Sequence, residues 1–397
     1  MKKKRLRTEL VHAGERRQLP IGRPVATPIY ATSAFTYDSM EEVDQVFSGE
    51  GGDFVYTRYG NPTIAALEDA LVTLEGGTAA CAYGSGMAAL HASLFACGLT
   101  PGSTVLASRD LYGATFALLE KVFGIAGVKT VTADFNDLEA VRAEAVAAKP
   151  TVLLAETISN PLLKVCDLAA IAAIGKEAGA RLVVDNTFAS PFLCQPLTLG
   201  ADFVIHSATK YLGGHGDAMG GVAVAKQEHD RLALVSIMKL AGGVMSVWEA
   251  HQILRGVKTL GLRLERQCDN ARKIAEHFRN DSRLVRVHYP TLSADGAEAL
   301  VGRVLLPPHG GALVSIELKE NTREAAYRFM NSLQLCVRLT SLGDVFTGVS
   351  HSASSSHREL SPAQRKRLGI TEGLVRISVG IEDVNDIIED VDQALSK

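Results

Sequence analysis

A carboxylate at the end of one apolar run and an amine just beyond the next are the first groups in this chain that could do chemistry together. Asp185 closes the run RLVVD, and Lys210 follows DFVIHS within VIHSATKYLGGHGD. The stretch between them is long enough for one crossover. Parallel neighbouring strands would therefore bring both groups to one edge of a sheet, where ligand crevices form in open α/β folds. A third element lies upstream, where AACAYGSGMAALHASL turns from a short apolar strand through Gly84, Ser85 and Gly86 into a helix beginning near Met87. Glycine at such a turn lets main-chain amides close on an anion at a helix N-terminus. Ser207 and Thr209 flank the lysine with hydroxyl donors, and Tyr112 in RDLYGATF follows the strand STVLAS, well placed to stack on a flat ring. An anion cup, a restrained lysine, a strand-end aspartate and an aromatic face are together what pyridoxal 5′-phosphate requires. The lysine would form the Schiff base, and the aspartate would keep the pyridine nitrogen protonated so that the ring accepts electrons.

Each piece taken alone has a plainer reading. Glycine-rich turns form for structural reasons, strand-end aspartates cap helices, and lysines after strands are usually solvated. Tyr112 by itself reads as packing. Their order at successive strand ends gives the set its meaning.

Positioning them takes a parallel sheet. From about residue 79 to 226 the chain alternates helical stretches with short runs rich in Val, Ile, Leu and Ala (STVLAS, KTVTAD, TVLLAET, RLVVDNT, DFVIHS, GGVAVAK). Few polar residues interrupt these runs, as expected of strands covered on both faces with crossover helices between them. NPTIAALEDALVTLEGG reads as a helix with Ile64, Leu67, Leu71 and Leu74 on one face and a stop at Gly76 and Gly77. After the sheet comes one long helical stretch, SVWEAHQILRGVKTLGLRLERQCDNARKIAEHFRND, with no proline. The rest mixes strands (VRVHY, ALVSIEL, LVRISVGIE) with helices, the last of which puts Ile387, Ile388, Val391 and Leu395 on a face. This predicts an extended N-terminal arm over 1–60, an α/β domain over 61–255 and a smaller α+β domain over 256–397. The arm is expected to gain order by lying on a neighbouring subunit.

Composition narrows the function. The chain has 397 residues, 47% of them hydrophobic and 21% charged, and a formal net charge of -3, a balance that gives no basic surface for nucleic acid or an anionic membrane. The basic start MKKKRLRTELVHAGERR leads into no apolar stretch of signal-peptide length, so a cytoplasmic location is expected. The six cysteines are scattered without CxxC or zinc spacing, which predicts reduced thiols and no metal site.

The blocks YTRYGNPT, GSGMAA, DLYG, VVDNTFASP, HSATKYLGGHGD and EGLVRISVGIED resemble the signatures of the pyridoxal-phosphate-dependent Cys/Met metabolism family, and most closely its methionine γ-lyases and cystathionine γ-lyases. The resemblance implies a fold type I enzyme, a homotetramer built from dimers that share active sites. It implies Lys210 as the Schiff-base and catalytic lysine, Asp185 as the partner of the pyridine nitrogen, and Tyr112 as the stacking tyrosine that helps in catalysis. The phosphate would be held by Gly86 and Met87, with Ser207 and Thr209. Tyr56 and Arg58 would reach the phosphate of the adjacent subunit's cofactor, with Tyr56 also near its substrate. Asn160 would stand near the cofactor's phenolic oxygen and the substrate carboxylate, which Arg376 and Ser341 would clamp.

For the reaction, the resemblance implies carbon–sulfur lyase chemistry, with α,γ-elimination of methionine, or of a related thioether or homocysteine, to 2-oxobutanoate, ammonia and a thiol. The alternatives are γ-replacement on an O-acyl-homoserine and cystathionine γ-lysis, with transamination or a non-catalytic scaffold more remote. Ala114 stands where methionine γ-lyases usually carry cysteine, Leu240 where they carry an acidic residue, and Phe346 where many relatives have glutamate. Phe346 is expected to make the pocket wall more apolar and to favour an uncharged thioether tail. The serine-rich HSASSSHREL reads first as loop packing, with a part in specificity as the other reading.

Overall fold

A computed structural model describes residues 4–14, 24–50, 54–292, 297–358 and 360–397. Its larger sheet contains β1 (Ala79–Tyr83), β2 (Thr104–Ser108), β3 (Lys129–Ala133), β4 (Val152–Glu156), β5 (Arg181–Asp185), β6 (Phe203–Ser207) and β7 (Gly221–Ala225). Their spatial order is β1-β7-β6-β5-β4-β2-β3, parallel throughout except that β7 runs antiparallel to both its neighbours. The apolar runs of the sequence are these strands. Val184 and Val204 point into one buried layer, while Val183, Phe203 and Ile205 point into another on the opposite face. Helices cover both faces, so alternation with polar residues is not needed. The edge strand β3 is the exception, since Lys129, Thr130 and Thr132 are exposed.

The second sheet orders β10 (Val337–Arg338), β11 (Gly348–His351), β12 (Leu374–Ser378), β9 (Leu313–Leu318) and β8 (Leu284–His288). It packs on its own apolar layer, to which the helix Val384–Leu395 contributes Ile387 and Val391.

The helix Pro62–Glu75 shows how local chemistry fixes an element's ends. The Asn61 side chain accepts from the Thr63 amide at 2.9 Å, proline occupies the first turn, and Gly76 closes the helix at φ 69°. Ile64, Leu67, Leu71 and Leu74 are all buried.

Two expectations need correction. The long helical stretch is broken into Val247–Val257 and Leu260–Phe278. A Cβ on Gly256 would lie 2.1 Å from the Gly213 carbonyl oxygen, so the first helix ends pressed on the loop that follows Lys210. Arg263 of the second helix donates to the Gly256 carbonyl at 2.8 Å and locks the corner. The N-terminal arm also carries more regular structure than expected, with helices Leu6–His12 and Met40–Ser48. Leu10 of the first is buried in the main core of its own chain; residues 15–23 and 51–53 of the arm lie outside the described residues.

Candidate active site

Strands β5 and β6 are parallel neighbours, with Asp185 opposite Ile205, so Asp185 and the turn carrying Lys210 leave the sheet side by side. β4 pairs with the other side of β5 and sets Glu156 opposite Asp185. These carboxyl ends open into a cavity of about 580 Å³. Gly86, Met87, Tyr112, Asn160 and Asp185 line it, as do Ser207, Thr209, Lys210 and Arg376. The sequence had scattered these groups over nearly three hundred residues; the topology collects them.

The loop at Ser85 shows why glycine follows it. Ser85 caps the helix Gly86–Ala96 by accepting from the Ala88 amide at 3.2 Å, leaving the Gly86 and Met87 amides as first-turn donors without intrahelical acceptors. A Cβ on Gly86 would sit 2.8 Å from the Ser207 Cβ. Only glycine lets this helix end and the β6 end close on the same space. Thr209 ties the turn down, its hydroxyl accepting from the Gly220 amide at 3.0 Å.

Lys210 Nζ donates to Ser341 Oγ at 2.8 Å. Burial lowers the pKa of this amine, the Arg376 guanidinium lowers it further, and Asp344 acts in the opposite sense. Asp185 Oδ1 accepts from the Thr187 amide at 2.9 Å. Burial raises its pKa, while the Thr187 donors and nearby His206 oppose the rise. Arg376, central in β12 and 3% exposed, donates from Nη1 to Asn160 Oδ1 at 2.7 Å. Burial depresses its pKa to about 10, still charged at neutral pH, and its buried Nε has no hydrogen-bond partner among the described residues. An interior cation with an unused donor is costly unless an anion arrives to meet it.

Tyr56 and Arg58 are not brought to this cavity. They border a separate hollow with Val244–Trp248, where Arg58 Nη1 donates to the Lys239 carbonyl at 2.7 Å and its guanidinium lies 4.8 Å from the centre of the Tyr59 ring. Phe346, expected in the pocket wall, is half-buried and does not border the cavity, and neither do Ala114 and the exposed Leu240. Arguments about substrate tails that rest on Phe346 therefore fail within one chain.

Sequence reasoning missed Glu156. Its Oε1 accepts from the Tyr112 amide at 2.6 Å, fixing the tyrosine's backbone. Burial, then the neighbouring Asp185, hold its pKa well above the ordinary carboxylate range. It ends TVLLAE just as Asp185 ends RLVVD, so the strand-end rule could have found it. A buried relay behind the strands was also missed. Glu75 Oε1 lies 2.6 Å from His206 Nε2 and accepts from Asn186 Nδ2 at 3.0 Å, and the Thr157 hydroxyl donates to Asn186 Oδ1 at 2.7 Å.

The family model for "Cys/Met metabolism PLP-dependent enzyme" matches residues 7–396. The chain belongs to this family. It is 41% identical to an L-methionine gamma-lyase of Pseudomonas putida over 94% of this chain and 93% of the relative. It is 38% identical to a cystathionine gamma-lyase of Bacillus subtilis, covering 100% and 99% of the two chains. Among solved structures, cystathionine gamma synthase from Xanthomonas oryzae pv. oryzae, in complex with aminoacrylate and cysteine, superimposes with a TM-score of 0.92 at 36% identity over 99% of this chain and 98% of that one. The protein is thus a fold type I, pyridoxal-phosphate-dependent enzyme. The cavity fits that cofactor: first-turn amides and a close-packed glycine after β1 suit a phosphate, the Asp185 carboxylate ends β5 three strands along, and an amine held below its usual pKa follows β6 between them.

The serine-rich loop of this family member borders the cavity through Ser354, Ser355, Ser356 and Arg358. His357 is buried beneath it, with Nδ1 2.9 Å from Ser356 Oγ. The ring stands beside the Leu111 and Asn160 main chain, but Nε2 makes no bond of good geometry. Burial, helped by the Arg376 charge, pushes the imidazole down to about 4 from an ordinary 6.5. A folded-state value below the unfolded one leaves stability independent of this proton above pH 6.5. As pH falls from there toward 4 the unfolded chain takes the proton more readily, and stability drops by a sum approaching about 3 kcal/mol. Calorimetric melting of the wild type and His357→Gln between pH 7 and 4.5 should show a shallower acid decline in the variant; equal slopes would rule out this account.

Proposed function

We propose that the enzyme catalyses α,γ-elimination from a γ-thioether amino acid, methionine or a relative of it, consuming water and releasing 2-oxobutanoate, ammonia and a thiol. The observation that carries this reading is the placement of Lys210, its pKa lowered by burial, in one cavity with the buried Arg376–Asn160 pair, in a chain that is 41% identical to an L-methionine gamma-lyase. Pyridoxal phosphate, when bound, supplies the electron sink that makes removal of the Cα and Cβ protons feasible. Lys210 attaches the cofactor while the site waits, and once displaced it carries protons at Cα. Asp185 holds the proton on the pyridine nitrogen. The Gly86 and Met87 amides, with the Ser207 and Thr209 hydroxyls, receive the phosphate. Arg376 takes the substrate carboxylate in a charge-assisted bond and frees Asn160 for the cofactor's edge. Ser341 keeps the lysine aimed. Tyr112 stacks on the ring and delivers a proton to the departing sulfur.

Because Tyr56 and Arg58 sit on a rim of their own, we assign them to the site of an adjacent subunit in a homotetramer, with 1–60 as the arm that carries them, 61–255 as the cofactor domain and 256–397 as the smaller domain. No helix among the described residues is long and apolar enough to cross a membrane, and a cytoplasmic location is part of the proposal. The test is product identification after incubating the holoenzyme with methionine, cystathionine, cysteine or O-acetylhomoserine, with and without a thiol. 2-Oxobutanoate from methionine alone is expected. A thioether formed only from the ester plus thiol would replace elimination by γ-replacement.

A further inference from the structure

Among the described residues of one chain, three cations line the cavity: Lys210, Arg376 and Arg358. The proposed reaction uses the first two. Arg358 remains, exposed at the mouth, and its guanidinium makes no hydrogen bond or ion pair with any described residue. The loop that bears it is held in place by its own side chains. Ser354 Oγ lies 2.8 Å from His351 Nδ1, Ser355 Oγ donates to the His351 carbonyl at 2.7 Å, and the Arg358 amide donates to the Ser355 carbonyl at 3.2 Å. A Cβ on Gly113 would fall 2.3 Å from the Ser356 carbonyl oxygen, so the loop is seated directly against the turn that carries Tyr112. The serine hydroxyls are therefore largely occupied in shaping the loop, and what the loop offers to the cavity is one unpaired guanidinium on a braced backbone.

We propose that Arg358 is a specificity-determining residue that receives a second carboxylate, carried at the far end of the substrate's γ-substituent. The inference rests on the elimination reading for which end of the substrate is which. With Arg376 taking the α-carboxylate, the γ-substituent extends from Cα toward the mouth. The acids of the cavity, Asp185 and Glu156, stand at the strand ends, so nothing among the lining residues offers an equivalent partner to a distal amine. A tail ending in a carboxylate without an amine is the best match, and a planar guanidinium binds it through two parallel bonds. Because the contact is open to water, it is weaker than the buried Arg376 contact and is screened by salt.

The decisive comparison uses two thioethers of nearly equal size, S-(2-carboxyethyl)homocysteine and S-propylhomocysteine, given to the holoenzyme, with kcat/KM taken from 2-oxobutanoate release. The wild type is expected to favour the carboxylate by about threefold to fivefold at low ionic strength, mainly through KM, and less so in 0.5 M salt as screening shortens to about 4 Å. In Arg358→Gln the ratio should fall toward one, and in Arg358→Lys it should recover in part. A wild-type ratio near one, or a ratio that Arg358→Gln leaves alone, overturns the proposal. Methionine run alongside tells the two readings apart: if it too yields no 2-oxobutanoate the elimination reading falls, and if neither longer thioether turns over, calorimetric affinities of the two compounds for holoenzyme and for Arg358→Gln decide the carboxylate contact by the same ratios.

Discussion

Lys210→Ala is expected to fold, to carry no covalently attached cofactor, and to lose at least ~10⁴-fold in turnover, since the proposed reaction makes this one group both attachment point and proton carrier. Folding should survive because the turn is built from main-chain contacts. The Lys210 amide donates to the Ser207 carbonyl at 3.1 Å, the Gly214 amide donates to the Lys210 carbonyl at 2.8 Å, and neither needs the side chain. What disappears is the amine 2.8 Å from Ser341. An ordinary lysine is almost wholly protonated at neutral pH and a poor nucleophile. Burial and the Arg376 charge shift this one toward the neutral, reactive form. Borohydride reduction of the wild type followed by peptide mass analysis should place the cofactor on Lys210. Alanine at this position should abolish that adduct and shift the absorption of any bound cofactor to that of free pyridoxal phosphate. Full turnover in the variant, or an adduct on another lysine, would refute the assignment.

How far the sequence could be read follows from which constraints are local. Strands covered on both faces announce themselves as unbroken apolar runs, and a polar residue that ends such a run is displayed at the sheet's edge; Asp185 was legible for that reason. Lys210 and Gly86 were legible because a charged residue among small ones, and glycine at a strand-to-helix turn, are chemically unusual in themselves. Arg376 was not. In LVRIS it looks like a strand-edge charge, and only the pairing of β12 between β9 and β11 reveals that it is interior. Phe346 was read into the pocket wall because many relatives carry glutamate at its position, and matching a position says nothing about which way a loop side chain turns; within this chain it does not border the cavity. The helix break at Lys258 and Thr259 depended on Gly256 meeting Gly213, a contact between residues far apart in the chain. Arg358 stayed hidden behind its serines, whose bonds to His351 and His357 exist only once the loop has closed.

Asp185→Asn should separate cofactor capture from cofactor activation. Two carboxyl groups end adjacent strands here, Glu156 opposite Asp185, and neither charge is welcome in the interior. They differ in support. Asp185 accepts from Thr187 and lies near His206, whereas Glu156 is raised further, in part by Asp185 itself. Burial raises both acids, but the Thr187 donors and His206 support charge on Asp185 while Asp185 itself adds to the rise at Glu156, so Asp185 is the better supported carboxylate of the two. A carboxylate can keep the pyridine nitrogen protonated, and a neutral asparagine of the same shape cannot. The Thr187 amide can still donate to the asparagine carbonyl, leaving the loop undisturbed. The variant should therefore retain the Lys210 adduct and most of its cofactor absorption, while kcat falls by ~10²–10⁴-fold, the scale of removing preorganised charge from a buried site. KM should change far less, because Arg376 and Asn160 are untouched. The exchange of the substrate's Cα proton with deuterium oxide should slow in parallel with kcat, tying the loss to electron withdrawal by the ring. A variant within threefold of wild type in kcat, or one slowed only in release of product after normal Cα exchange, would show that the charge at 185 is not what activates the cofactor.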